Sequence, residues 1–214
     1  MQSKRSEART EICKICFKPI EQSTLHSLLC RNPTICHDCL LNLGPVLRTF
    51  YIDDVECFHL YFYNQKVQEI LYQFKGCTDY ELKTVFLEYY LPYLNIKFNG
   101  YEMIPAPSSK QSDKERGFNH VEEIFKNLHL KMIKCIHKTK QVKQADLTTK
   151  QREQIGKHLV IDDVDLSGKK ILLVDDVFTT GSTIKAMIKL VKEKGAKKVK
   201  VLLMSKTIDL EKRE

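Results

Sequence analysis

Apolar and polar positions change their rhythm several times along the chain. The stretch "ECFHLYFYN" (56–64) is aromatic and partly alternating, which predicts a strand closed by Asn64. "VQEILYQFKG" (67–76) spaces its apolar residues as a helix does and ends on Gly76, predicting a short amphipathic helix. "DYELKTVFLEYYLPYL" (79–94) reads as a second helix, with Asp79 as a cap and Pro92 near its end. "YEMIPAPSS" (101–109) predicts a short strand running into a proline-rich turn. "NHVEEIFKNLHL" (119–130) has helical periodicity, and "KMIKCIHKT" (131–139) fits a strand. "KTKQVKQADLTTKQREQIGK" (138–157) has no apolar face to bury and predicts a mobile loop.

The last third is the most legible. "KKILLVDDV" (169–177) is a continuous apolar strand of the kind buried on both faces of a parallel sheet. "STIKAMIKLVKEKG" (182–195) is a helix with Ile184, Met187, Ile188 and Val191 on one face, stopped by Gly195. "AKKVKVLLMSKT" (196–207) is the next strand. Strand, loop, helix, strand is a right-handed βαβ unit, so the fold class is α/β. Ligands then belong at the carboxyl ends of the strands.

Composition narrows the class. The chain has 214 residues and is 43% hydrophobic, enough for one core or for a core with a small appendage. No apolar run approaches the roughly 20 residues of a membrane helix, which predicts no membrane insertion. The opening "MQSKRSEART" has no apolar segment of the signal-peptide kind, so a cytoplasmic protein is expected. There the eight cysteines are expected as metal ligands or core residues rather than as disulfides. The net charge is +8 and unevenly placed, with nine basic against two acidic residues between Lys126 and Lys157. Localised positive charge suits a polyanionic partner, either nucleic acid or a phosphorylated metabolite. The plainer reading is a solvated lysine-rich surface.

Four cysteines form two pairs, "CKIC" (Cys13, Cys16) and "CHDC" (Cys36, Cys39). This CxxC…CxxC arrangement predicts a closed, structural zinc site, since a two-residue spacer turns both thiolates of a knuckle toward one ion. Cys30 and His37 lie nearby as spare ligands or bystanders. Cys57, Cys77 and Cys135 have no ligand spacing and read as small apolar residues. The expected organisation is a zinc knuckle over residues 1–45 and one larger domain over 46–214.

The stretch "ILLVDDVFTTGST" (171–183) carries the chemistry. Asp175 and Asp176 stand where a buried strand emerges, and "TTGST" turns into a helix. Outward backbone N–H groups, the hydroxyls of Thr179, Thr180, Ser182 and Thr183, and the open backbone of Gly181 make a phosphate cradle. Carboxylates repel phosphate, so the aspartates are expected on another part of the same ligand. A ribose 5-phosphate satisfies both, with phosphate on the loop and hydroxyls on the carboxylates. No Walker loop and no GxGxxG is present. A receiver domain can carry an Asp-Asp pair, but early in its fold and without "TTGST". The competing reading is a turn whose Asp and Thr merely cap.

These residues resemble the phosphoribosyl-pyrophosphate (PRPP) motif of type I phosphoribosyltransferases, and the whole chain resembles the ComF family. The four cysteines match that family's zinc knuckle, and Arg116, Gly117, Phe118 and Asn119 match its "RGFN" signature. "IPAPSS" (104–109) matches its proline-containing strand end. Its basic loop matches 138–153, with Gln144, Leu147 and Arg152 in order. The resemblance implies a phosphoribosyltransferase-like parallel sheet flanked by helices, with an N-terminal zinc knuckle. It implies that Ala106, Pro107, Ser108 and Ser109 bind pyrophosphate, with Arg116 in the same site. The middle loop would close over the ligand, and magnesium would accompany PRPP. It implies a role in DNA uptake and natural transformation, handling single-stranded DNA with other competence proteins. The alternative is an active phosphoribosyltransferase of salvage type, with no catalytic residue or acceptor identified. In the loop, lysines stand where relatives often carry arginine, a better bidentate phosphate clamp, and Gln154 falls near a common Asn.

Overall fold

The computed structural model describes residues 11–21, 33–138 and 159–208. Helix α1 (His37–Leu43) leads into an antiparallel hairpin of β1 (Pro45–Ile52) and β2 (Val55–Phe62). Helix α2 (Gln65–Lys75) follows at once, its first turn capped by Asn64, whose side chain accepts from the Val67 N–H at 2.8 Å. Next come two short 3₁₀ turns (Tyr80–Thr84 and Glu88–Tyr90), α3 (Leu91–Lys97) and β3 (Glu102–Pro105). Helices α4 (Lys110–Arg116) and α5 (His120–Phe125), then strands β4 (Lys131–Met132), β5 (Ile136–Lys138) and β6 (Leu159–Ile161), complete the middle. The chain then runs through β7 (Lys170–Phe178), α6 (Ser182–Glu193) and β8 (Lys198–Lys206).

Six strands form one sheet in the order β1-β2-β8-β7-β3-β4. In this sheet every pairing except β1 with β2 is parallel, as the apolar run of β7 and the βαβ unit predicted. Alternation divides the buried side chains between two cores. Leu172, Val174, Leu202 and Met204 face α2, α5 and the segment 80–98, together with Cys13, Ile35, Cys39 and Leu43 of the cysteine-bearing region. Ile171, Leu173, Val201 and Leu203 face α6 through Ile184, Met187, Ile188 and Val191. The four apolar positions expected on that helix are therefore its buried face.

The structure departs from the sequence reading in three places. Residues 79–94 are not one helix, and Asp79 makes no side-chain cap bond. Pro92 lies in the first turn of α3 rather than near a helix end, where its missing N–H has no intrahelical acceptor to lose. "KMIKCIHKT" is split: β4 joins the main sheet, whereas β5 pairs antiparallel with β6 in a separate ribbon. Strand β1 gives no clear alternation, because it is an edge strand irregular between Pro45 and Arg48. Strand β7 runs through both aspartates to Phe178, as the stretch 169–177 led one to expect. Of the predicted mobile loop only Lys138 is described; Thr139 to Lys157 lie outside the described residues.

The irregular segment after α2 leaves a backbone carbonyl in the core. Phe86 O is satisfied by the fully buried Tyr61, whose hydroxyl donates to it at 2.8 Å. Removing that donor without changing shape strands a buried acceptor. Tyr61→Phe should cost about 1–3 kcal/mol of unfolding free energy in urea titrations. A loss well under this range would show that water reaches the carbonyl.

Candidate functional site

A cavity of about 270 Å³ opens at the carboxyl ends of β3 and β7. Register places its walls. Pro105 pairs with Val174, and the Ala106 N–H donates to Val174 O at 2.8 Å, so the Ala106–Ser109 loop lies beside Asp175 and Asp176. Of the residues expected from sequence, Ala106, Pro107, Ser108, Ser109, Arg116, Asp175, Asp176 and Thr183 line this cavity. Thr179, Thr180, Gly181 and Ser182 do not line it; they form the turn into α6 beside it. Ser112, His120, Val121 and Lys138 complete the lining.

The two aspartates do different things. By alternation Asp176 continues the row of Leu172 and Val174, toward α2 and α5. It is 6% exposed, and its Oδ2 receives the ammonium of Lys75 from the last position of α2. His120 Nε2 lies 3.5 Å from the same oxygen, while Oδ1 accepts from the Val177 N–H at 2.8 Å. Asp175 accepts from the Asp176 N–H at 2.9 Å through Oδ1 and keeps part of its surface open in dense surroundings. Burial pushes its carboxyl up to about 7, with Lys75 and Lys138 working the other way. Burial likewise brings Lys75 down to about 8, opposed by Asp175 and reinforced by Arg116 and Lys138. His120 falls to about 2 through burial and then the charges of Lys75, Arg116 and Lys138, so its ring is neutral.

The "RGFN" residues each have a physical task. Arg116 ends α4 and donates from Nε to Lys75 O at 3.0 Å. Gly117 follows at φ +84°, the left-handed conformation that terminates α4. Phe118 stacks on Phe74 with ring centroids 5.1 Å apart and lies beneath the Arg116 guanidinium at 5.7 Å. Asn119 caps α5 by accepting from the Glu122 N–H at 3.1 Å, and donates to Ser108 Oγ at 3.2 Å. The motif therefore ties the Ala106–Ser109 loop to the end of α2.

Gly181 begins α6 at φ +73°. A Cβ there would sit 2.4 Å from Phe178 Cζ, so a side chain collides within the protein before it reaches any ligand. Lys75 and His120 escaped the sequence reading. A lysine ahead of a helix-ending glycine looks like ordinary C-terminal charge. His120 stands directly after "RGFN", and that adjacency was the available signal.

At the other end of the chain, the sulfurs of Cys13, Cys16, Cys36 and Cys39 all lie within 4.8 Å of one another. Cys16 and Cys36 are 3.7 Å apart, against about 3.8 Å for two edges of a tetrahedral ion with 2.3 Å bonds to sulfur. Burial works to raise the Cys13 thiol, but hydrogen bonds from Cys16, Cys36 and Ile15 outweigh it and bring it to about 7. Burial holds Cys36 and Cys39 above the usual thiol range. Four crowded thiols cannot all ionise without a counter-charge, and a dication such as zinc supplies it. His37 stands beside this group in α1 without joining it, and Cys30 lies outside the described residues.

The phosphoribosyl transferase domain family matches residues 116–213. A competence protein ComFC from Streptococcus pneumoniae is 29% identical over 195 residues, 88% of this chain and 83% of that protein. The chain is thus similar to a ComF-family protein along most of its length and to the phosphoribosyl transferase domain over residues 116–213. An adenine phosphoribosyltransferase from Mycoplasmopsis agalactiae is 49% identical over 47 residues, which span 22% of this chain and only 28% of that enzyme. The crystal structure of an adenine phosphoribosyltransferase from Thermoanaerobacter pseudethanolicus is similar over 78% of this chain and 87% of its own, at 17% identity and a TM-score of 0.41.

Two predictions follow from this geometry. Purified protein should carry about one zinc per chain, and Cys36→Ser with Cys39→Ser should remove it; full metal content in that double variant would place the ion elsewhere. The second concerns pH. Asp175, raised from 3.8 to about 7, contributes stability that is complete below 3.8 and lost as pH rises through about 7. His120, lowered from 6.5 to about 2, contributes stability that is present above 6.5 and lost as pH falls toward 2. Between about 4 and 6.5 the two slopes oppose each other. Asp175→Asn removes only the first, so its unfolding free energy should climb more steeply with pH than that of wild type, by up to about 1.4 kcal/mol per unit. Parallel slopes in urea titrations would mean that Asp175 stays ionised in the folded state.

Proposed function

We propose that the cavity binds PRPP or a related ribose phosphate, and that the protein uses this site in natural transformation, handling incoming single-stranded DNA. One observation carries the ligand assignment. A single cavity sets Arg116 and Lys138 against Asp175 and Asp176, with Thr183 of the helix-opening turn also in its lining. Cations suit a pyrophosphate and carboxylates suit ribose hydroxyls. The turn from Thr179 to Thr183 offers backbone N–H groups to a 5-phosphate. Asp175 Oδ2 is the oxygen best placed for a hydroxyl, because both oxygens of Asp176 already have protein partners.

The cavity fits a metal that arrives with its ligand. Lys75 is committed to Asp176, and Arg116 shares its charge with Asp113 at 3.4 Å. That leaves Lys138 and a shared Arg116 against a pyrophosphate, a deficit of positive charge that a magnesium ion bound with the ligand would fill.

Support for the DNA role comes from the ComF relationship more than from charge. Lys126 pairs with Glu123 at 2.6 Å, Lys131 with Glu102 at 3.9 Å, and Lys134 with Glu122, so much of the described part of the basic stretch is compensated. Location in the cytoplasm belongs to the same reading; no helix of the described residues is long and apolar enough to cross a membrane.

Calorimetry with PRPP and magnesium tests the ligand. At about pH 8, above the value of about 7 at which the Asp175 carboxyl ionises, Asp175→Asn should weaken binding about tenfold, the difference between a charge-assisted and a neutral hydrogen bond. Undiminished affinity would remove Asp175 from the ligand. Gel shifts with single-stranded DNA should weaken steeply between about 50 and 200 mM salt. Pyrophosphate release with a panel of bases, without any DNA binding, would instead establish a salvage transferase.

A further inference from the structure

Three side chains line up along one side of the cavity. Arg116 Nη1 lies 3.1 Å from His120 Nδ1, and His120 Nε2 lies 3.5 Å from Asp176 Oδ2. A guanidinium has only donors, so Nδ1 is the accepting nitrogen and the neutral ring carries its proton on Nε2. Nε2 then faces the carboxylate as a donor. Arg116 and Asp176 make no direct ion pair, and the imidazole spans the gap between them.

We propose that His120 is a positioning residue that couples Arg116, on the pyrophosphate side of the site, to Asp176, on the ribose side. The proposal rests on the ribose-phosphate reading above. Filling one half of the site then orders the other, because a shift of the guanidinium moves the acceptor that fixes the ring and the donor that reaches the carboxylate.

The surroundings hold the ring in this role. His120 is the first residue of α5, and the preceding Asn119 is pinned by Ser108 and Asp113. Only 12% of the His120 side chain is exposed. The charged groups facing it are Lys75 from α2, Arg116 from α4, Lys138 from β5 and Asp176 from β7. Three cations against one carboxylate disfavour an imidazolium, so Nδ1 accepts from Arg116 and the Nε2–H is left facing Asp176. Arg116 itself is held by Lys75 O and Asp113, and among the described residues its Nη2 has no protein partner, leaving it for a ligand oxygen.

Ribose 5-phosphate gives a clean test, since it lacks the pyrophosphate that Arg116 would touch. Arg116→Leu should nevertheless weaken its binding by about threefold to tenfold, and should add nothing in a His120→Leu background. His120→Gln can accept at Oε1 and donate at Nε2, so it should keep both wild-type affinity and the Arg116 effect. Equal affinity in wild type and His120→Leu would overturn the coupling, as would an Arg116 effect undiminished by His120→Leu. Wild-type protein that binds neither PRPP nor ribose 5-phosphate would refute the ligand reading instead. The coupling is then decided on the free wild-type protein, which needs neither ligand nor variant. Nitrogen-15 NMR of labelled histidine should show the neutral Nε2–H tautomer for His120 at about pH 7. An Nδ1–H or doubly protonated ring there would overturn the proposal by itself.

Discussion

A carboxylate with 6% of its surface exposed cannot stay ionised without a partner, and Asp176 finds one 101 residues away in Lys75. The pair fastens the central strand β7 to the end of α2. Breaking a fully buried pair on one side costs about 3–5 kcal/mol. The cost here lies below that range, since 27% of the Lys75 side chain is exposed. The same residue serves twice, because its carbonyl accepts from Arg116. Both walls of the cavity are thus referred to one helix end.

That helix is supported from the cysteine-bearing region. Asn64 caps α2 and also donates to Leu43 O at 3.0 Å, at the end of the helix that carries Cys39. Cys13, Ile35, Cys39 and Leu43 enter the same core as Val67, Ile70 and Phe74. A metal held by these four sulfurs would therefore brace the element that holds Lys75. Phe118 stacks on Phe74 of the same helix, so the "RGFN" residues and the cysteine-bearing region meet on α2.

The adjacent aspartates illustrate how one motif yields two roles. Strand alternation sends Asp176 into a charged, buried corner and leaves Asp175 beside the cavity. Lys75 neutralises the first, while burial lifts the second to about 7. The pair is thus one fixed carboxylate and one whose charge is set by its surroundings. The opposite wall is organised by a neutral imidazole between cations, an arrangement that transmits geometry rather than charge.

Much was legible in the sequence because it depends on local pattern. A continuous apolar run marked β7 as a buried parallel strand, the βαβ order supplied β8 as the next, and helical spacing identified the face of α6. The CxxC pairs named four sulfurs that the fold brings together, since a two-residue spacer aims both thiols of a knuckle at one point. Segment 79–94 was misread because its apolar spacing suits a helix, whereas its buried carbonyls find partners elsewhere, as Phe86 does in Tyr61. Lys75 and His120 were missed for a different reason. Lys75 is unremarkable beside its chain neighbours and His120 is marked only by following "RGFN"; the importance of each comes from the 101 and 56 residues that separate it from Asp176 in sequence. Only the packing of α2 and α5 on the sheet removes those distances. A buried charge acquires its partner through that packing, and no local pattern records which residue it will be.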